Sequence, residues 1–326
     1  MYTPSFYDAK KVGSLYLPRF AEVEAEADRL SIPSAAMDKI GAKIVLMIID
    51  MQIDFCHKDG TLYVEGAEDD IRRLITFILR NLEYLTSIFA SLDSHLLFQI
   101  FFRSWWQLTQ GAVKPELFTE VYKTISAADK HVLAKSIDDG DIQAVLDPIK
   151  SIDYTEKLLA KANKPLCIWP YHTEIGTPGQ ALDPALYEIL MFHAFARKAQ
   201  LNFLQKGQIP QTEMYGILSP EIEIAKHKQG GFNTDFLNLL MKNDKVIVAG
   251  QAKSHCVLES LKQIYEFFKN EPNAREIFGK IYILKDCMSS VKHPTIDFEG
   301  IAVAEFDKFA NEGFNIVDSV DLDLAV

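Results

Sequence analysis

Two kinds of apolar pattern alternate along the chain: short unbroken runs, and longer stretches in which apolar positions recur at helical spacing. The runs Ile44–Ile49 and 246–249 predict central parallel strands, apolar throughout because both faces are covered. The first run ends at Asp50 and the second at Gly250. Spacing of Ile71, Leu74, Ile75, Ile78, Leu82, Leu85 and Ile88 predicts one helix over 68–92, followed by a strand at 96–102. After the second run, Val257, Leu258, Leu261, Ile264, Tyr265 and Phe268 keep helical spacing, so Cys256 falls where a strand turns into a helix. Further strands are predicted at 165–169, 222–225, 280–284 and Asn315–Val317, with helices at 184–206, Thr234–Met241 and 301–311. Such alternation marks an α/β fold, a doubly wound parallel sheet of about six strands with helices on both faces, in a Rossmann-like three-layer arrangement.

Two stretches stand outside this rhythm. Residues 1–42, with helical potential over 20–30, read as an N-terminal arm lying on the main domain, 43–326, or on a neighbouring subunit of a homo-oligomer. Residues 103–163 are richer in Lys and Asp and carry no strand signal, so a mostly helical insertion is expected there.

Composition narrows the partners. The chain has 326 residues, 48% hydrophobic and 24% charged, ordinary for a globular protein with ample core. A net charge of −11 argues against nucleic acid or anionic membrane as main partner, since both require a basic face. No apolar run approaches the ~18 residues of a membrane span. The four cysteines, Cys56, Cys167, Cys256 and Cys287, form no Cys-x-x-Cys pair, and no basic region followed by an apolar run opens the chain, so a reducing cytoplasm is the expected location. No Gly-x-Gly-x-x-Gly follows the first strand, which leaves a dinucleotide site unsupported.

Three residues at predicted strand ends carry chemistry: Asp50, Cys256, and Lys226 after 222–225. A carboxylate can take a thiol proton, and a lysine beside them can hold the carboxylate ionised. At the start of a helix, unpaired backbone N–H groups also lower a thiol's pKa and hold an oxyanion. Taken singly, each has an ordinary structural reading: a buried cysteine, a capping aspartate, a solvated lysine.

Longer segments are distinctive together. Residues 49–55 (Ile-Asp-Met-Gln-Ile-Asp-Phe) with 60–67 (Gly-Thr-Leu-Tyr-Val-Glu-Gly-Ala) resemble the opening of the isochorismatase-like cysteine hydrolases, and specifically the nicotinamidases. Leu92-Asp93-Ser94-His95 is similar to that family's Asp-x-His segment, and Trp169-Pro170-Tyr171-His172 with Gly176-Thr177-Pro178-Gly179 to its Trp-Pro-x-His and Gly-Thr-x-Gly segment. Residues 250–256 resemble its nucleophile loop, Lys226, six residues before Phe232, fits its lysine segment better than Lys228, and 284–290 are similar too. The resemblance covers most of 43–318, outside the insertion.

It implies an Asp50–Lys226–Cys256 triad and a cis peptide bond at Ala252-Lys253 that turns backbone N–H groups toward the substrate carbonyl. It further implies a divalent metal (Zn²⁺, Mn²⁺ or Fe²⁺) on Asp93, His95 and His172, with Gln99 standing where many nicotinamidases have a histidine, and a substrate ring between Phe55 and Trp169. The implied reaction is hydrolysis of a small aromatic amide such as nicotinamide through a thioester. A relative acting on another small substrate, or a non-catalytic protein retaining the scaffold, are the alternatives. Trp105, Trp106, His131 and His193 are read as packing or surface residues, and His57, His227 and His255 receive no role.

Overall fold

The structure is a computed structural model that describes residues 2–35, 43–162, 164–293 and 296–325. The end of the expected arm, 36–42, lies outside the described residues. In the rest of the arm, α1 (Phe20–Ala27) buries Val23 and Ala27. The arm lies on the main body along a later helix, α5 (Pro184–Arg197): Arg19 pairs with the buried Glu188 at 2.6 Å, and the Gly13 N–H donates to Asp183 at 2.8 Å.

The main body begins with β1 (Ile44–Ile49), α2 (Ile53–Cys56), α3 (Ala67–Arg80) and β2 (Ser87–Asp93). An inserted region follows, with β3 (Trp106–Leu108), β4 (Glu120–Tyr122), β5 (Ala134–Ser136), β6 (Ile142–Ala144), α4 (Pro148–Ala162) and β7 (Leu166–Cys167). After α5 come β8 (Leu201–Lys206), α6 (Thr234–Met241), β9 (Lys245–Gly250), α7 (Leu258–Phe268), α8 (Ala274–Phe278), β10 (Ile281–Leu284), α9 (Phe298–Glu312) and β11 (Asn315–Val317).

Six strands form one sheet in the order β11-β10-β9-β1-β2-β8, every pair parallel. The alternation of side chains along a strand explains its two covered faces. Ile44, Leu46 and Ile48 of β1 join a core with Leu74 and Ile78 of α3 and Leu186 and Ile189 of α5. Val45, Met47 and Ile49 face the other way, into a core with Leu261 of α7 and Phe306 of α9. The order of winding reverses between β1 and β9, and in such sheets ligands bind beyond the carboxyl ends of the strands at that reversal. Among the described residues no helix is long and apolar enough to cross a membrane.

Two predicted helices are each a helix and a strand. The helix expected over 68–92 ends at Arg80, where Asn81 turns its side-chain amide onto the Phe77 carbonyl, and 87–93 is β2. The helix expected over 184–206 ends at Arg197, Lys198 takes a left-handed conformation, and Leu201–Lys206 is the edge strand β8. In both, apolar residues of the turn and strand happen to continue the helical spacing. The strands expected at 96–102 and 222–225 do not form, and of 165–169 only β7 does, outside the main sheet.

The inserted region is not mostly helical. Its strands of two or three residues make a β3-β6 pair and a small β5-β4-β7 sheet beside α4, too short to display any period in sequence. Trp105, Trp106, Val121, Tyr154 and Leu158 build its own core, joined to Phe101 and Phe102.

Candidate active site

Four strand ends of the main sheet deliver polar side chains to one buried place. Asp50 directly follows β1 with φ 47° and no exposure. Its Oδ1 accepts from the Ser91 hydroxyl of β2 at 2.6 Å. Lys206, the last residue of β8, is equally buried. Its ammonium lies 3.0 Å from Asp50 Oδ2 and 3.2 Å from Asp93 Oδ1, donates to the Met214 carbonyl at 3.0 Å, and stands 3.8 Å from Cys256 Sγ. Cys256 sits in a single π-helical turn, Lys253–Val257, between β9 and α7. Carboxylate, ammonium and thiol thus meet at the crevice where the sheet's winding reverses.

Burial dominates the electrostatics. It raises the pKa of Asp50, opposed chiefly by the Lys206 charge, and pushes the Cys256 thiol well above its ordinary value against the same charge. For Lys206, burial favours the neutral amine, but the charges of Asp50 and Asp93 outweigh it and the pKa rises. Burial thus favours the protonated thiol, and the Lys206 charge is what opposes protonation of Asp50.

Next to it, Asp93, His95 and His172 bring one ligand atom each to within 4.8 Å of one another, all buried. His95 Nδ1 lies 3.0 Å from the Gly207 carbonyl, and His172 Nδ1 lies 2.7 Å from that of Pro170. A carbonyl only accepts, so each Nδ1 carries hydrogen and a neutral ring leaves Nε2 bare. Burial, then the neighbouring His95, pushes His172 down to about 3. His95 Nε2 lies 3.0 Å from Asp93 Oδ2, lone pair toward lone pair in the neutral ring, an arrangement that a cation between them satisfies. One carboxylate and two imidazoles with fixed tautomers suit a divalent transition metal.

Cys256 of the first cluster and Asp93, His95 and His172 of the second line one pocket, while Asp50 and Lys206 are not part of its lining. Its walls include Phe55, Leu62, Phe101, Trp169 and Tyr215.

No family model matches the sequence, and no curated protein matches it either. Solved structures do match. A nicotinamidase/pyrazinamidase from Acinetobacter baumanii is 17% identical with a TM-score of 0.51, the match spanning 87% of this chain and 100% of that one. The yeast nicotinamidase Pnc1p is 16% identical with a TM-score of 0.52, over 84% and 99% of the two chains. A second structure of it, with the inhibitor nicotinaldehyde, is 15% identical with a TM-score of 0.51 over the same shares.

The chain has the nicotinamidase fold. On that fold three expectations shift. The lysine beside Asp50 and Cys256 is Lys206, not Lys226; Lys226 lies exposed in a turn with φ 67°, because no strand carries 222–225 into the sheet. Gln99 is not in the His/Asp cluster: its Oε1 accepts from the Leu96 N–H at 2.9 Å, and its Nε2 donates to the Gly207 and Ile209 carbonyls at 2.7 and 3.1 Å. All of its hydrogen-bonding capacity facing that loop is taken by backbone. The cis peptide bond is Gln251-Ala252, one bond earlier than expected, at the point where the chain leaves β9. Ala252 lines the pocket, whereas the Lys253 N–H donates to the Ser289 carbonyl at 2.8 Å and its ammonium to Glu299.

Residue reading missed Lys206 in the buried cluster and Glu213, Tyr215 and His255 in the pocket lining. One signal for Lys206 was the glycine after it. Gly207 has φ 80°, and a Cβ there would sit 2.4 Å from Asp93 Oδ1 and 2.7 Å from the His95 ring, so the chain must be bare where β8 ends against both clusters.

Proposed function

We propose that the chain is a cysteine amidohydrolase that cleaves the carboxamide of a small aromatic substrate such as nicotinamide to the acid and ammonia. The observation that carries this reading is the fully buried ammonium of Lys206 between Asp50, Asp93 and Cys256. A surface lysine would be solvated; one with no exposure, aimed at a thiol and two carboxylates, stabilises charge that develops on them.

Asp50 takes the Sγ proton as the sulfur forms its bond to the carboxamide carbon, giving a tetrahedral oxyanion. Lys206 keeps Asp50 ionised until that moment and spreads a positive field over the reacting sulfur. Asp50 then returns the proton to the amide nitrogen, the C–N bond breaks, and ammonia leaves a thioester. In the second half Asp50 takes a proton from water, whose oxygen displaces the sulfur, and the proton returns to Cys256. In this reading the oxyanion donors are backbone N–H groups of the turn from Ala252 to Cys256 other than those of Lys253 and His255, which donate to the Ser289 and Ala252 carbonyls.

Asp93, His95 and His172 would hold the divalent metal, which supplies a Lewis acid for a heteroaromatic nitrogen or a water. The aromatic walls, and the nicotinaldehyde bound by the yeast enzyme of the same fold, support a flat ring as substrate. A reducing compartment such as the cytoplasm suits a nucleophile that must remain a free thiol, as all four cysteines are.

Ammonia release from a panel of small amides that includes nicotinamide tests the proposal, with Cys256→Ala as control. Release at equal rates by the two proteins, or from no amide at all, would reject it.

A further inference from the structure

The inserted region meets the pocket wall at two side chains: Phe118, whose ring lies edge-on to Trp169 at 5.8 Å between centroids, and Tyr154, which reaches it through Glu213. Tyr154 of α4 is 3% exposed; its hydroxyl donates to Glu213 Oε2 at 3.0 Å and accepts from the Glu213 N–H at 3.0 Å. On its other oxygen, Glu213 accepts from the Tyr215 hydroxyl at 2.6 Å and the Trp169 indole N–H at 3.4 Å, and that indole also donates to the Tyr215 hydroxyl at 3.0 Å. Glu213, Tyr215 and Trp169 all line the pocket. The same loop is tied to the triad, since the carbonyl between Glu213 and Tyr215, that of Met214, accepts from Lys206.

A carboxyl group so buried is tolerable only while its hydrogen bonds are made. Burial raises the Glu213 pKa to about 7, with the Tyr215 hydrogen bond and the Lys164 charge opposing. The two phenols and the indole that donate to its side chain each belong to a rigid ring that can sit in few ways once the bond is fixed. The inserted core behind Tyr154 includes Trp105 and Trp106, so the strut is anchored at its far end.

We infer that Tyr154 and Glu213 are positioning residues through which the inserted region fixes Trp169 and Tyr215, and so sets the width of the pocket and the ring substrates it holds. Only the kinetic arm of the test rests on the amidase reading.

Tyr154→Phe keeps the ring packed and removes the hydroxyl, and Glu213→Gln keeps the shape and one acceptor oxygen. With nicotinamide as substrate, Tyr154→Phe should raise KM about 10-fold with kcat within about 2-fold, the loss of one buried hydrogen-bonded group acting on binding. Glu213→Gln should fall between it and the parent. In protein labelled with 5-fluorotryptophan, the ¹⁹F resonance of Trp169, assigned by its loss in Trp169→Phe, should shift or broaden in Tyr154→Phe. An unmoved resonance overturns the inference, as does a moved resonance with unchanged KM, or a fall in kcat alone. If the parent protein releases no ammonia from nicotinamide, the amidase reading fails there, and the Trp169 resonance by itself decides whether the strut exists.

Discussion

On one side of Asp93 stands Lys206, which gives both Asp93 and Asp50 a cation at hydrogen-bonding distance; on the other stand His95, with Nε2 3.0 Å from Asp93, and His172, each with Nδ1 against a backbone carbonyl. The Asp50–Lys206–Cys256 side is complete from the chain's own residues, its charges set by burial and by one another. The histidine side brings a carboxylate and two imidazoles within 4.8 Å of one another, a donor set that would take a cation from outside. Breaking the first should therefore damage catalysis and the fold together, and breaking the second should change what the protein binds while leaving the first able to react.

The largest effect belongs to Cys256, the nucleophile we propose. Cys256→Ala should abolish ammonia release, whereas Cys287→Ala, a fully buried thiol at the end of β10, should retain most of it. Comparable turnover in the two variants would dissolve the distinction between the clusters.

Lys206→Met comes next. It strands two buried carboxylates, and removing one partner of a buried ion pair typically costs about 3–5 kcal/mol, read by urea unfolding. Turnover should drop at least ~100-fold, the scale of losing one electrostatic stabiliser. Because the lysine charge lowers the pKa of the Cys256 thiol, its removal should move the midpoint of Cys256 alkylation to higher pH. A midpoint that stays or falls would show that Lys206 does not act on the sulfur.

His172→Ala sharpens the contrast from the other side. After incubation with Zn²⁺, Mn²⁺ or Fe²⁺, elemental analysis should find the parent loaded and the variant depleted by about 10-fold or more, in line with losing a ligand or its support. Alkylation of Cys256 in the metal-free proteins should differ little between them. Equal metal content in both would assign the ion elsewhere. The smallest effects are expected at Lys226→Ala and Lys228→Ala, both exposed, with turnover within about 2-fold of the parent and stability within ~0.5 kcal/mol.

How legible each part was in the sequence follows from where it lies in the sheet. β1 and β9 are central, with both faces buried, so they read as unbroken apolar runs that name Asp50 at the end of one and place Cys256 just beyond the other. β8 is an edge strand whose residues are mostly half-buried or exposed, and Leu-Asn-Phe-Leu-Gln-Lys continues the spacing of α5 without a break. Only its last residue reaches the interior, and that residue is Lys206. The motif around Asp93, His95 and His172 was visible as residue types, and the backbone carbonyls that fix the two imidazole tautomers were not.

By itself, then, the sequence determined the layered α/β architecture, the aspartate and cysteine, and the aspartate and two histidines, because central burial and short motifs are local properties of the chain. Tertiary structure decided which lysine joins them, that Gln99 holds a loop instead of facing a ligand, and that an inserted helix reaches the pocket wall. Those choices depend on edge pairing and on side chains that meet across large sequence separations, Lys206 with Asp50 and Tyr154 with Glu213, and no period along the chain encodes such a meeting.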